Sequence, residues 1–249
     1  MKTIEPKKSA TRHPKNQQID LDKLAWSEIF EALSENGFAL TERILTSEQC
    51  SEAISWFAEE DRFRSTINMQ QHRFGRGIYK YFRYPLPEVV EHLRQSAYEH
   101  LVPIANTWNE ALNLSFRYPQ EHEAFLEVCH KQEQRRPTPL ILKYEPGDYN
   151  CLHQDLYGEV LFPIQMAILL SQPGSDFAGG EFILSEQRPR SQSKVEVVPL
   201  EQGQAVIFAV NHRPQRGGRG IYKVSLKHGV SRLRAGKRYT LGIIFHDAK

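Results

Sequence analysis

Residues 144–158 read YEPGDYNCLHQDLYG. His153 and Asp155, two apart on an extended chain, project to the same side and could both reach one metal ion. An iron(II) site that activates dioxygen takes two imidazoles and one carboxylate on one face of the metal, leaving the opposite face open. A His-x-Asp pair by itself reads equally well as a hydrogen-bonded pair at a strand end. A third ligand must come from a later strand, and the downstream candidates are His212, His228 and His246. His228 stands out because Arg238 follows ten residues later, across the Gly236 turn. An antiparallel return of that length brings the guanidinium back beside the metal, where it can fork onto a carboxylate. His212 lies in the loop-like NHRPQRGGRG and His246 close to the last residue, so both are weaker choices.

Positioning such a set needs strands, and the second half of the chain supplies them. After RRPTP, short β-rich runs follow at close intervals: LILKY, FPIQMAILL, GEFIL, KVEVVPL, AVIFAV, YKVSLKHGV and YTLGIIF. There is no room between them for crossover helices, so the sheets are antiparallel, as in a sandwich or jelly roll. The first half reads helical. Thr46 and Gln49 form a capping box before Cys50, Ala53, Ile54 and Phe57. A longer pattern runs from Val90 to Leu112, with Pro103 expected to kink it, and a third helix is expected over roughly 119–134. The expected class is α+β: a disordered basic tail over 1–18, a helical support over 19–136, and a jelly-roll core, cupin-like in form, over 137–249.

The 249 residues carry a formal charge of +2, too little by itself to argue for nucleic acid. No apolar run is long enough to span a bilayer, and MKTIEPKKSATRHPKNQQ lacks the apolar middle of a signal peptide. Cys50, Cys129 and Cys151 form no CxxC pair, which suits a reducing cytoplasm and argues against a cysteine zinc site. Cys151 is expected to be a buried small apolar residue.

His153-x-Asp155, then His228 and Arg238 ten later, resembles the Fe(II)/2-oxoglutarate-dependent dioxygenase superfamily. HGVSRLRAGKRYTL resembles its prolyl-hydroxylase-like branch, and FAGGEFIL resembles the Gly-Gly-Glu strand between the proximal and distal ligands. YEPGDYNCLHQD resembles the tyrosine–Pro-Gly–HQD strand of AlkB-type nucleic-acid demethylases, whose tyrosine bonds the co-substrate; Tyr144 is its counterpart. With FGRGIYKYFRYPLP, the chain also resembles a bacterial oxygenase family proposed to act on damaged nucleic acid. The resemblance implies a double-stranded β-helix in which His153, Asp155 and His228 hold Fe(II) and form the catalytic centre. It assigns 2-oxoglutarate to Arg238 and Tyr144, with dioxygen as the second co-substrate. The implied reaction is hydroxylation of a C–H bond, extending to oxidative demethylation of alkylated nucleic acid. The alternatives are a protein (prolyl-type) or small-metabolite hydroxylase and, from another class, a non-catalytic cupin-like binding module. One departure concerns substrate: AlkB-type enzymes carry an acid two positions after the triad aspartate, where this chain has Tyr157.

GRGIYK occurs twice, at 75–80 and 218–223. HRFGRGIYKYFRY and HRPQRGGRGIYK interleave cations with aromatic rings and contain no acid. Cations that track phosphates beside rings that stack on bases are what single-strand binding requires, and a solvated edge with ordinary core aromatics gives the same text. On the first reading Arg73, Arg76, Lys80, Arg216, Arg219 and Tyr157 form a candidate rim for single-stranded or damaged nucleic acid. On the second, the repeated hexamer is coincidence.

Overall fold

A computed structural model describes residues 19–156, 158–218 and 220–249. Two antiparallel sheets face each other. The larger has the spatial order β1 (Phe38–Arg43), β11 (Gln204–Ala209), β7 (Ile164–Leu169), β15 (Arg238–Ile243), β5 (Leu140–Tyr144), β4 (Ile78–Phe82) and β2 (Phe63–Asn68). The smaller runs β10 (Lys194–Val198), β9 (Phe182–Gln187), β13 (Gly220–Val230), β6 (Tyr149–His153) and β3 (Gly75–Arg76), with β12 (His212–Gly217) paired to β13. β8 (Phe177–Gly179) and β14 (Leu233–Gly236) form a separate ribbon. This is the double-stranded β-helix, in the α+β class.

The larger sheet is covered on both faces, which explains why β7 is buried at every position and reads as an unbroken apolar run apart from Gln165. Its outer face, including Ile141, Ile164, Ile168, Leu241 and Ile243, packs into one core with helices α1 (Trp26–Asn36), α2 (Ser47–Trp56), α3 (Glu88–Ala111) and α4 (His122–Lys131). Its inner face, with Tyr144, Ala167, Leu169, Val206 and Phe208, packs against Phe182, Leu184 and Val230 of the smaller sheet.

The Thr46–Gln49 capping box forms as the sequence predicts, with both reciprocal bonds. α3 runs on through Pro103. Proline removes the N–H that would bond the Glu99 carbonyl, and the Gln120 side chain donates to that carbonyl instead, at 3.2 Å. The expected helical support over 19–136 leaves out four strands: β1 to β4 all come from this stretch and extend the two sheets. The tail expected over 1–18 lies outside the described residues. No helix among the described residues is long and apolar enough to cross a membrane.

Candidate active site

β6 and β13 lie side by side with His153 opposite His228. Between that pair and Asn150–Val230 the register slips, because two residues of β6, Cys151 and Leu152, bulge against the single Gly229. A bulge of this kind turns the side chains on either side of it to one face, so Asn150 and His153 both line the interior cavity despite being three apart. Gly229 permits it: a Cβ there would sit 2.7 Å from the Asn150 carbonyl oxygen. The same bulge leaves Cys151 exposed rather than buried as expected, and its thiol belongs to no ligand cluster among the described residues.

Asp155 follows β6 and is 7% exposed. Its Oδ1 lies 3.3 Å from His153 Nε2 and its Oδ2 3.3 Å from His228 Nε2. The two imidazole rings are 4.2 Å apart, and the three ligand atoms lie within 4.8 Å of one another. His153 Nδ1–H donates to the Cys151 carbonyl at 2.8 Å, which fixes the tautomer that leaves Nε2 free as a ligand. Burial by itself would raise the Asp155 carboxyl, but His228 and His153 beside it hold it well below the usual carboxylate range. Burial pushes the His228 imidazole down, toward its neutral ligating form. Burial works against the charged form of His153 as well, but the Asp155 carboxylate beside it raises that imidazole overall, so an incoming metal ion would displace its proton. Two imidazole nitrogens and one carboxylate around a common point are a donor set that fits Fe(II). His212 lies in β12 opposite Ser225, and His246 is buried with its Nδ1 accepting from the Phe162 N–H at 3.2 Å, so neither joins this cluster.

Arg238 and Tyr144 stand opposite one another in β15 and β5, both buried, facing the cavity that holds the triad. Arg238 Nε has no hydrogen-bond partner, Arg238 Nη1 donates to Thr240 Oγ1 at 2.5 Å, and the Tyr144 hydroxyl, buried, has only the Asn150 side chain for a neighbour it could bond. No carboxylate lies within ion-pair distance of Arg238 among the described residues. Glu181, whose charge reaches it, is instead engaged by Ser231 and by Arg234 at 3.1 Å. Burial pulls Arg238 down to about 10, so it stays protonated at neutral pH. A buried guanidinium without an acid of its own has room in its hydrogen bonding for an anion from outside the chain, and the carboxylate of a diacid such as 2-oxoglutarate has the matching chemistry. Gly180, in the left-handed region at φ 66°, clears the way; a Cβ there would press on Arg238 Cδ at 3.0 Å.

The structure disperses the candidate rim. Arg73 is exposed at the turn before β3, and Arg76 is half exposed with its Nε 3.6 Å from Asp148. Lys80 corrects the sequence reading: its residue is 5% exposed, and its ammonium is turned away to the Phe57 carbonyl and the Glu60 carboxylate. Strand alternation explains this, since Tyr79 and Tyr81 line the cavity and Lys80 between them must face the other way. Arg216 is exposed on β12 opposite Ile221, whereas Arg76 pairs beside Asn150 and Val230. Nine residue steps of β13 separate those levels, about 30 Å of strand, so Arg76 and Arg216 stand at opposite ends of the smaller sheet, while Ile78–Lys80 of the first hexamer cross into β4 of the larger sheet. Arg219 and Tyr157 lie outside the described residues.

Three rings from residues 74–81 line one side of the cavity, of which only Phe74 is exposed while Tyr79 is half-buried and Tyr81 buried. Phe74 is 49% exposed and stacks on His72, and Tyr79 and Tyr81 sit edge to face at 5.4 Å. Sequence reasoning missed Asn150, Phe208, Gln165, Gly229 and Thr240 as cavity or site-shaping residues. Thr240 was legible as the same-face neighbour of Arg238, and Gln165 as the lone polar residue in an apolar run.

A family model named Oxygenase-NA, described as an oxygenase catalysing oxidative methylation of damaged DNA, matches residues 77–248. Two uncharacterized proteins of Mycobacterium tuberculosis, one from each of two strains, are 46% identical over 167 residues, 67% of this chain and 72% of theirs. Among solved structures, a prolyl-4-hydroxylase of Pseudomonas putida aligns at TM-score 0.51 and 13% identity, covering 87% of this chain and 96% of its own. A prolyl hydroxylase of Trichoplax adhaerens aligns at 0.53 and 14%, covering 87% and 86%. A 2OG-Fe(II) oxygenase family protein of Burkholderia pseudomallei aligns at 0.52 and 14%, covering 90% and 92%. At these identities the three structures share the fold.

Proposed function

The chain belongs to the Oxygenase-NA family and is an Fe(II)- and 2-oxoglutarate-dependent oxygenase, and from that premise we propose that it removes alkyl groups from damaged nucleic-acid bases by oxidation. In this reading His153, Asp155 and His228 hold the iron, and Arg238 with Tyr144 and Thr240 holds the far carboxylate of 2-oxoglutarate. Bound Fe(II), with 2-oxoglutarate and dioxygen, supplies the two-electron oxidation of a C–H bond, and the co-substrate leaves as succinate and carbon dioxide. The chain's own part is placement and exclusion of water. Phe182 and Phe208 pack on the His228 ring, at 6.1 and 4.7 Å between centroids, and keep that ligand from turning. The two facing sheets bury Tyr144 and Arg238, so the co-substrate is gripped away from bulk solvent.

The observation that carries the substrate reading is the aromatic side of the cavity. Phe74 and Tyr79 offer a face and an edge for a flat ring, with Tyr81 buried behind Tyr79 under the Arg64 guanidinium, and Arg73 and Arg76 stand on the segments leading to them. The family description supports a nucleic-acid substrate. An oxidant acts on a methyl group already present: hydroxylating an N-methyl carbon gives an unstable N-hydroxymethyl base that releases formaldehyde. The test is to incubate the Fe(II)-loaded enzyme with 2-oxoglutarate, air and oligonucleotides carrying N-methylated bases. Succinate and formaldehyde should form in equal amounts while the oligonucleotide loses the methyl mass. Succinate release with no formaldehyde and no change in any oligonucleotide would overturn the proposal.

A further inference from the structure

Gln165 is the one polar side chain in β7, and nothing assigned so far uses it. It is 3% exposed, lines the cavity of the triad, and its Nε2 has no hydrogen-bond partner. An amide N–H₂ left unpaired in an apolar interior costs more than any hydrophobe of similar size, so its presence here calls for an acceptor from outside the chain.

Its position tells which acceptor. Gln165 lies opposite Phe208 in the β7–β11 register, and the Phe208 ring is 4.7 Å from the His228 ring. Gln165 therefore stands at the triad's end of the cavity wall. Along the same face of β7, Ala167 and Leu169 lead away to Thr240, which pairs with Leu169, and on to Arg238. One wall thus carries a buried cation at one end, a buried unpaired amide at the other, and the metal ligands facing the amide end. Tyr79 and Tyr81 lie on β4, three strand spacings away across β15 and β5, about 14 Å from β7. A substrate ring seated at Tyr79 is remote from Gln165, whereas a diacid lying along the wall ends beside it.

We propose that Gln165 is a co-substrate-positioning residue whose amide N–H donates to the carboxylate of the keto-acid end of 2-oxoglutarate, the end that chelates the metal. The assignment rests on the reading that Arg238 and Tyr144 take the other carboxylate. Held at both ends by Gln165 and by Arg238 with Tyr144, 2-oxoglutarate would be confined to one orientation along this wall.

Two keto acids separate the two readings. Pyruvate has the chelating end of 2-oxoglutarate and lacks the far carboxylate. Each is titrated without oxygen into Fe(II)-loaded protein, following the visible charge-transfer band and its wavelength. Gln165→Leu should weaken both keto acids about tenfold and shift the band. Arg238→Met should weaken 2-oxoglutarate and leave pyruvate unchanged. Gln165→Glu, which sets a carboxylate against a carboxylate, should weaken both further than Gln165→Leu does. The metal-free Gln165→Leu protein should melt no lower than wild type, since the amide nitrogen has no internal bond to lose. Wild-type affinity for both keto acids in Gln165→Leu or in Gln165→Glu would overturn the assignment. An Arg238→Met protein that binds 2-oxoglutarate normally would overturn the far-carboxylate reading, and the pyruvate titration would still judge Gln165.

Discussion

His153 and His228 face each other across the β6–β13 pair with their rings 4.2 Å apart, and the residue that lets the strands come so close is Gly229. A methyl group at 229 would meet the Asn150 carbonyl oxygen at 2.7 Å and the Cys151 carbonyl oxygen at 3.2 Å. Both contacts are backbone, so the strands themselves must part. Gly229→Ala is therefore expected to lower Fe(II) affinity by about tenfold or more while the fold persists, because ligand geometry is disturbed and no ligand is lost. Anaerobic Fe(II) titration beside circular dichroism checks it. Unchanged iron affinity would mean that the bulge absorbs the methyl group.

Arg238→Lys should raise the 2-oxoglutarate dissociation constant roughly tenfold to hundredfold and leave iron binding alone. Lysine keeps the charge and loses the two-pronged match, a difference on the order of 1.5–3 kcal/mol. The measurement is 2-oxoglutarate affinity at saturating Fe(II), without oxygen.

Much of this site was legible because its chemistry is written at short range. His153 and Asp155 share a strand end, and the turn at Gly236 sets the distance from His228 to Arg238. The jelly-roll half announced itself by closely spaced β runs with no helices between them. What the sequence hid depended on partners far along the chain. FALTER at 38–43 is a strand because β11, more than 160 residues later, offers its edge at Gln204–Phe208. Lys80 looked like a rim cation because composition does not say which face of β4 turns inward. The bulge at Cys151–Leu152 is equally silent, since it exists only in the pairing with Gly229.

Stability should fall with acid well above the carboxylate range. His122 is buried under the C-terminal segment, its Nε2–H donating to the Phe245 carbonyl at 2.8 Å. Burial first, and Arg94 second, push it down to about 3 in the folded protein. The unfolded chain takes up that proton near pH 6.5 and the folded one does not, so unfolding is favoured progressively as pH falls from 6.5 toward 3. One such group costs about 2.5 kcal/mol of stability between pH 6.5 and 4.5. His246, pushed down to about 4 by burial and Arg94, acts in the same sense. His122→Phe loses the bond to Phe245, about 1 kcal/mol at pH 7, and should show a shallower loss from pH 6.5 to 4.5 in urea unfolding. An equal slope in both proteins would show that His122 does not titrate in this range on unfolding.

The last expectation separates a rim cation from a core cation within one hexamer. Arg76 and Lys80 belong to the same GRGIYK, yet Arg76 is open to solvent beside β6 while Lys80 is buried on Phe57, Phe63 and Glu60. A cation that neutralises a phosphate releases counterions, so losing it reduces the salt dependence of binding by about one unit in a log–log plot. Arg76→Ala should flatten the slope for a short single-stranded oligonucleotide by that amount. Lys80→Met should leave the slope unchanged and lower the melting temperature, because it strips the Phe57 carbonyl of its donor and removes a cation packed on two rings. Arg216→Ala, on β12 beside the far end of β13, should change the slope only for strands long enough to span about 30 Å. If Lys80→Met flattens the slope and Arg76→Ala does not, nucleic acid approaches from the other face of the larger sheet, and the aromatic side of the cavity is not where the base is received.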